Sequence, residues 1–293
     1  MTRLESLVDE ELAEPVDPRV TAMAAALAAE YPAAARAVLF YGSCLRQSEL
    51  DGLMLDFYLI VSDYRDAYRS KWLTVANRAV PPNVFPFRHD GLIAKYAVLS
   101  EADFARECGL DAGSVSVWAR FAQPSRLVWV CDEAARARLA SAVASAPLTL
   151  FALTRPTMDE DRNEPLAIFR AGFALTYGAE LRAERASRSD SIVDADPERY
   201  ARIGEAVLAD QLPNAGARAS ASAWRRRRRW GKALTLIRLA KATTTFAGGV
   251  DYLAWKINRH AGTEIVIRPW QRRWPILGAL TLLPRLWRRG AIR

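Results

Sequence analysis

Residues 40–61, FYGSCLRQSELDGLMLDFYLIV, constrain the fold more than any other stretch of this chain. The apolar run VLFYGS at 38–43 reads as a strand ending in a Gly-Ser turn. After a short polar connection, MLDFYLIV at 54–61 reads as a second strand, rich in large and β-branched residues. This second strand presents one carboxylate, Asp56, near its start.

The flanking pattern extends this unit into a layered fold. Residues 19–37 are alanine-rich and suit a helix, as do residues 64–79. Pro81, Pro82 and Pro86 mark a loop. GLIAKYAVLS at 91–100 reads as a strand with Ile93, Lys95, Ala97 and Leu99 on one face. Ser100 and Asp103 form the start signal of a short helix at 100–107. A strand at 126–132 and a helix at 133–146 follow. Strands interleaved with helices predict an α/β or α+β fold. Beyond Pro147 the pattern is helical, with helices expected at 164–188, 197–211 and 232–247. Asp194, Asp196 and Pro197 separate the first two, and Pro213, Asn214 and Gly216 form a linker. No internal repeat is visible. The expected organisation is an α/β domain over 1–150, a helical region over 151–217 and a basic tail over 218–293.

Charge sharpens that division. The 293 residues carry a net charge of +8. Residues 218–293 hold 18 Lys and Arg against 2 acids, a balance of +16, which leaves −8 on the remainder. Six of the nine tryptophans (224, 230, 255, 270, 274 and 287) also lie in this tail. Arg225–Arg229 is bracketed by Trp224 and Trp230, and WPILGALTLLPRLWRR at 274–289 is apolar with a basic end. Three readings follow: a membrane-surface element, a solvated charge run beside an ordinary core helix, or a nucleic-acid face. Interleaved Trp and Leu favour lipid, so an anionic membrane is the expected partner of 218–293 and nucleic acid is not. The longest apolar stretch, 275–287, is shorter than the roughly 20 residues a spanning helix needs. The N-terminal MTRLESLVDEELAEP lacks the apolar core of a secretory signal. Cys44, Cys108 and Cys131 have no metal-type spacing and read as reduced thiols. A cytoplasmic protein, peripheral on the inner face of the membrane, is expected.

The 40–61 segment suits nucleotidyl transfer. Gly42 lets backbone N–H groups approach a triphosphate closely, and Ser43 adds a hydroxyl donor. Asp56, held on a strand, is a ligand type for Mg²⁺, which takes carboxylate and phosphate oxygens together. Strand, Gly-Ser, turn, then a strand bearing Asp resembles the polymerase-β-type nucleotidyltransferase superfamily. The usual superfamily pattern has Asp-x-Asp on the second strand. Here Asp56 fits the second Asp, the first position is Met54, and Asp51 is the nearest other acid.

That departure, with YGS and MLDF, is similar to the mitochondrial-type phosphatidate cytidylyltransferases, the translocator-maintenance family. GLIAKYAVLS at 91–100, WARFAQP at 118–124 and IVIRP at 265–269 match further segments of that family in order. The resemblance covers 38–160, and the tail more loosely. It implies a nucleotidyltransferase-type mixed sheet followed by a mainly helical C-terminal region. It also implies transfer of CMP from CTP to phosphatidic acid with Mg²⁺, giving CDP-diacylglycerol and pyrophosphate. Gly42 and Ser43 would bind the CTP phosphates, Asp56 the metal, and Arg120 and Arg268 substrate phosphate. Lys95 would neutralise phosphate charge in the transition state.

Each assignment has a plainer counterpart. Asp56 also fits a strand-end acid in a turn contact, Asp51-Gly52 a turn dipeptide, and Lys95 a surface residue of an edge strand. His89 and His260 are isolated in sequence, and Gly248-Gly249 reads as a helix end. Two further functions stay open: a nucleotidyltransferase acting on another lipid phosphate, RNA or protein, and a degenerate fold that only binds.

Overall fold

The computed structural model describes residues 2–46, 49–159, 164–179, 188–210, 217–245 and 268–269. In chain order these form α1 (Arg3–Ala13), α2 (Pro18–Ala29), β1 (Ala35–Tyr41), β2 (Met54–Val61), α3 (Tyr64–Ala67), α4 (Lys71–Ala79), β3 (Asn83–His89) and β4 (Leu92–Ser100). Then come α5 (Glu101–Cys108), α6 (Trp118–Phe121), β5 (Ser125–Val130), α7 (Glu133–Thr154), α8 (Pro165–Ala179), α9 (Arg188–Asp194), α10 (Pro197–Ala209) and α11 (Ala217–Thr245). A mixed sheet carrying helices is the α/β fold expected.

The sheet has five strands in the order β3-β4-β2-β1-β5. Only β2 and β4 run parallel; the other pairs are antiparallel. Period-two alternation gives each strand two apolar faces. On one face Ala37, Leu39, Tyr58, Ile60, Ala97 and Leu99 pack with α1, α5, α6, α7, α8 and α10. On the other, Val38, Phe40, Phe57, Leu59, Tyr96 and Val98 pack with α2 and α3. Asp56 and Lys95 fall by the same alternation on the first face.

The first face holds the larger core. One cluster of buried side chains runs from Leu4 to Trp224, so it continues across residue 150. The helix expected at 133–146 extends through Pro147 to Thr154. Pro147 removes the N–H that would reach the Val143 carbonyl. The helix persists because Val143, Leu150, Phe151 and Leu153 are all buried in the core, and that packing outweighs one lost bond. Extended by a 3-10 turn to Thr157, it is long and apolar enough to cross a membrane, with 72% of its apolar window buried inside the protein.

Other boundaries moved for local reasons. The alanine-rich helix stops at Ala29, and Ala35 to Ala37 already belong to β1, paired with β2. The segment 64–79 splits into α3 and α4 because Tyr68 is extended and Ser70 starts a new helix. The proline-marked loop contains β3, an edge strand that tolerates Pro86 because one side needs no N–H donor. The acidic N-terminus is α1, started by a Thr2–Glu5 capping box and buried through Leu4, Val8 and Leu12. The helix expected at 232–247 begins at Ala217 and takes in the whole Arg225–Arg229 run. The Pro213–Gly216 linker, Gly248-Gly249, His260 and residues 274–289 lie outside the described residues.

Candidate active site

The parallel pairing of β2 with β4 puts Asp56 directly beside Lys95. The Lys95 Nζ lies 2.9 Å from Asp56 Oδ1, with the side chains 28% and 21% exposed, so the pair is sheltered but reachable. The Oδ1 atom itself is buried, and the ammonium approaches it off the line of a hydrogen bond. The antiparallel pairing of β1 places Tyr41 on the other side of Asp56, and Ser125 of β5 beyond Tyr41. One row across the sheet therefore reads Ser125, Tyr41, Asp56, Lys95, Pro86.

Gly42 follows this row at the end of β1, with φ +94. A Cβ built there would lie 3.3 Å from Asp56 Oδ2. The absent side chain leaves a cradle between the turn backbone and the carboxylate, which a larger residue would fill. Ser43 is exposed and opens a 3-10 turn, Ser43–Arg46. Cys44 is buried behind it and donates its thiol to the Met54 carbonyl at 3.5 Å. Burial, then the Asp56 charge, push the Cys44 thiol up, so it stays protonated and is no nucleophile.

Arg120 reaches the same row from α6. It donates to the Ser116 carbonyl, and its charge acts on the Tyr41 phenol. Burial above all, and then Asp56, hold that phenol well above the usual tyrosine range, with Arg120 opposing. Tyr41 remains a neutral hydroxyl, with its ring packed on Tyr58 and Phe121. Asp56 and Lys95 thus share one end of one sheet face, with Arg120 acting on their neighbour Tyr41 and the Gly42–Ser43 turn following at the end of β1. Asp51 is engaged elsewhere: its side chain is 72% exposed and pairs with Arg19 of α2 at 3.1 Å. Arg268 is exposed, and its neighbours other than Pro269 lie outside the described residues. His89 pairs with Asp90 at the β3–β4 turn.

Two groups escaped the sequence reading. Tyr41 could have been found, because Ala37, Leu39 and Tyr41 alternate onto the face of Asp56. Arg238 and Lys241 of α11 bind the loops at 80–82 and 114–116, and only their spacing of three on a helix hinted at a shared face.

The resemblance implies Mg²⁺. Among the described residues no three His, Cys, Asp or Glu side chains gather. Mg²⁺ often takes one or two carboxylates and fills its shell with water and substrate phosphate oxygens. The Asp56 Oδ2 atom beside the Gly42 cradle fits that use, with phosphates arriving on the ligand. No protein-family model matches the chain, and no curated protein matches it.

Proposed function

We propose that this chain is a nucleotidyltransferase that moves CMP from CTP to phosphatidic acid, forming CDP-diacylglycerol and pyrophosphate. The observation that carries the reading is the Asp56–Lys95 pair beside a glycine turn whose backbone approaches the carboxylate as closely as only a residue without a Cβ allows. A phosphate oxygen of the acceptor, already ionised at neutral pH, attacks the α-phosphorus. The bond from that phosphorus to the bridging oxygen breaks, and pyrophosphate leaves. No strong general base is needed, so positioning and charge neutralisation carry the rate. Turn N–H groups at Gly42 and the Ser43 hydroxyl would hold the triphosphate, while Lys95 and Arg120 meet its charge. Asp56 would hold Mg²⁺, which when bound neutralises phosphate charge and orients the triphosphate. CTP and the lipid acceptor come from the family resemblance.

The outer face of α11 supports a membrane-bound acceptor at the cytoplasmic inner face. Arg225, Arg226, Arg228, Arg229 and Trp230 are exposed together, Trp230 by 66%. The opposite face is anchored: Trp224 donates to the Leu153 carbonyl at 2.8 Å and Arg227 to that of Ala112 at 3.3 Å. Such a helix can lay cations and an aromatic ring on anionic headgroups.

The test incubates the purified chain with labelled CTP, Mg²⁺ and phosphatidic acid liposomes. Labelled CDP-diacylglycerol is expected from the wild type and not from Asp56→Asn. Absence of transfer from any nucleotide to any lipid phosphate, RNA or protein acceptor would refute the reading. CTP binding without turnover would favour a non-catalytic module, the reading to which the lone carboxylate points. Flotation with anionic liposomes tests α11: R225Q/R226Q/R228Q/R229Q should release the chain, and unchanged flotation refutes that role.

A further inference from the structure

We propose that α4 is a second membrane-docking element, which lays Trp72 and Val75 into an anionic lipid surface in concert with α11. The choice of lipid as the occupant rests in part on the membrane reading of α11, and not on the transfer reading.

The polarity of α4 is inverted. The side chains it buries, Thr74 and Asn77, are polar, and only Leu73 packs a large apolar side chain against the core. Thr74 donates to the Tyr64 carbonyl at 3.1 Å, and Asn77 donates to that of Val98 at 3.0 Å. Asn83 of β3 donates to the Leu73 carbonyl at 3.1 Å. These bonds fix the helix through its inner row. Trp72 and Val75, three residues apart on the outer row, are 50% and 65% exposed. A helix that serves only the core places its apolar residues inward, so the outer pair marks a surface that meets something else.

Charge and position select the occupant. Arg69, Lys71 and Arg78 are exposed, and no acid occurs from 67 to 79. Arg78 pairs with Asp63 at 3.0 Å, which leaves Arg69 and Lys71 beside Trp72. An aromatic ring flanked by cations suits the boundary between anionic headgroups and acyl chains. The C-terminal end of α4 also meets α11. Arg238 donates to the Pro81 carbonyl at 2.7 Å and Lys241 to that of Pro82 at 2.8 Å, just after α4 ends at Ala79. Ile237, beside Arg238, is exposed, as is Trp230 about two turns earlier. A second copy of the chain fits less well. Trp72 and Val75 offer far less than the roughly 1,200 Å² that a stable protein interface buries in all. A membrane needs no such area from α4, because its contribution adds to that of α11.

The test is co-sedimentation of the full chain with vesicles of phosphatidylcholine, alone or mixed with phosphatidylglycerol. Trp72→Ser should weaken binding to the mixed vesicles about tenfold or more, and Trp72→Phe should keep most of it. Arg69→Gln combined with Lys71→Gln should weaken it roughly tenfold. All three positions are exposed, and melting curves check that each variant folds. Wild-type affinity in Trp72→Ser overturns the proposal, and release by R225Q/R226Q/R228Q/R229Q then leaves α11 as the docking element. Weakening by Trp72→Ser with none by the α11 variant keeps α4 and removes α11. Equal binding to the two kinds of vesicle overturns the anionic choice, and a wild type that binds neither overturns both elements. A lipid-free dimer that Trp72→Ser dissociates assigns the face to a second copy and overturns the proposal.

Discussion

Replacing Gly42 by alanine tests the geometry of the site with a single methyl group. At φ +94 an L-residue carries about 1–2 kcal/mol of backbone strain. The new Cβ would also stand 3.3 Å from Asp56 Oδ2 and 3.7 Å from the Asp56 Cβ. The carboxylate has little room to retreat, because its Oδ1 is buried with Lys95 Nζ at 2.9 Å. A crowded contact of this kind adds on the order of 1 kcal/mol. Where the backbone suits alanine, the exchange instead stabilises by about 0.4–1 kcal/mol through the unfolded chain, so the sign is diagnostic.

Two glycines of the same chain separate strain from contact. Gly52 and Gly91 have φ +74 and +79, and no atom lies within 4 Å of a Cβ built on either. Alanine there should cost only the strain, about 1–2 kcal/mol. Alanine at 42 should cost about 2–3 kcal/mol, lowering the melting temperature by roughly 4–10 °C. Urea melts of the three variants measure the difference. Equal losses at 42 and 52 refute the contact with Asp56, and no loss at 42 refutes the strain. Transfer activity, normalised to folded protein, should fall further than stability does. A destabilised Gly42→Ala enzyme with full turnover would remove Gly42 from the phosphate path.

Three other measurements follow from buried groups. Glu11 accepts from the Arg199 guanidinium, 3.0 Å at Oε1, and the side chains are 10% and 7% exposed; Glu11→Gln should cost about 3–5 kcal/mol in urea unfolding, and a loss under 1 kcal/mol would show the pair is dispensable. Asn77 is fully buried and donates to the Val98 carbonyl at 3.0 Å while accepting from the Asn83 N–H, so Asn77→Ala should cost about 1–3 kcal/mol by leaving both unpaired; a neutral effect refutes the role. Lys241 is lowered to about 7 from 10.5, so between those values the unfolded chain binds a proton that the folded chain does not. Wild-type stability should therefore rise with pH from 7 to 9 relative to Lys241→Met, and equal slopes for the two proteins refute this.

What was legible in the sequence was local chemistry, and what was not was the pairing of distant segments. Asp56 and Lys95 were each readable as polar residues on apolar strands, and the period-two pattern put Lys95 on the face of Ala97 and Leu99. Their adjacency was not, because parallel strands need a long crossover, here through α3, α4 and β3, and no local signal sets the order β3-β4-β2-β1-β5. Asp51 shows the reverse error of scale. It is close to Asp56 in sequence, yet the turn delivers it to Arg19 on α2, against the opposite face. Proline misled twice, at β3 and in α7, because propensity cannot see that one strand lies on a sheet edge or that one helix is buried. The tail shows the same limit most clearly. Counted as charge, residues 218–293 form one basic block, but α11 divides it between two environments. Arg225, Arg226, Arg228 and Arg229 face solvent, while Arg227, Arg238 and Lys241 turn inward onto backbone oxygens of the sheet domain. Net charge could not distinguish these two sets. Helical phase does: one set of cations faces out, and the other holds loops of the sheet domain to α11.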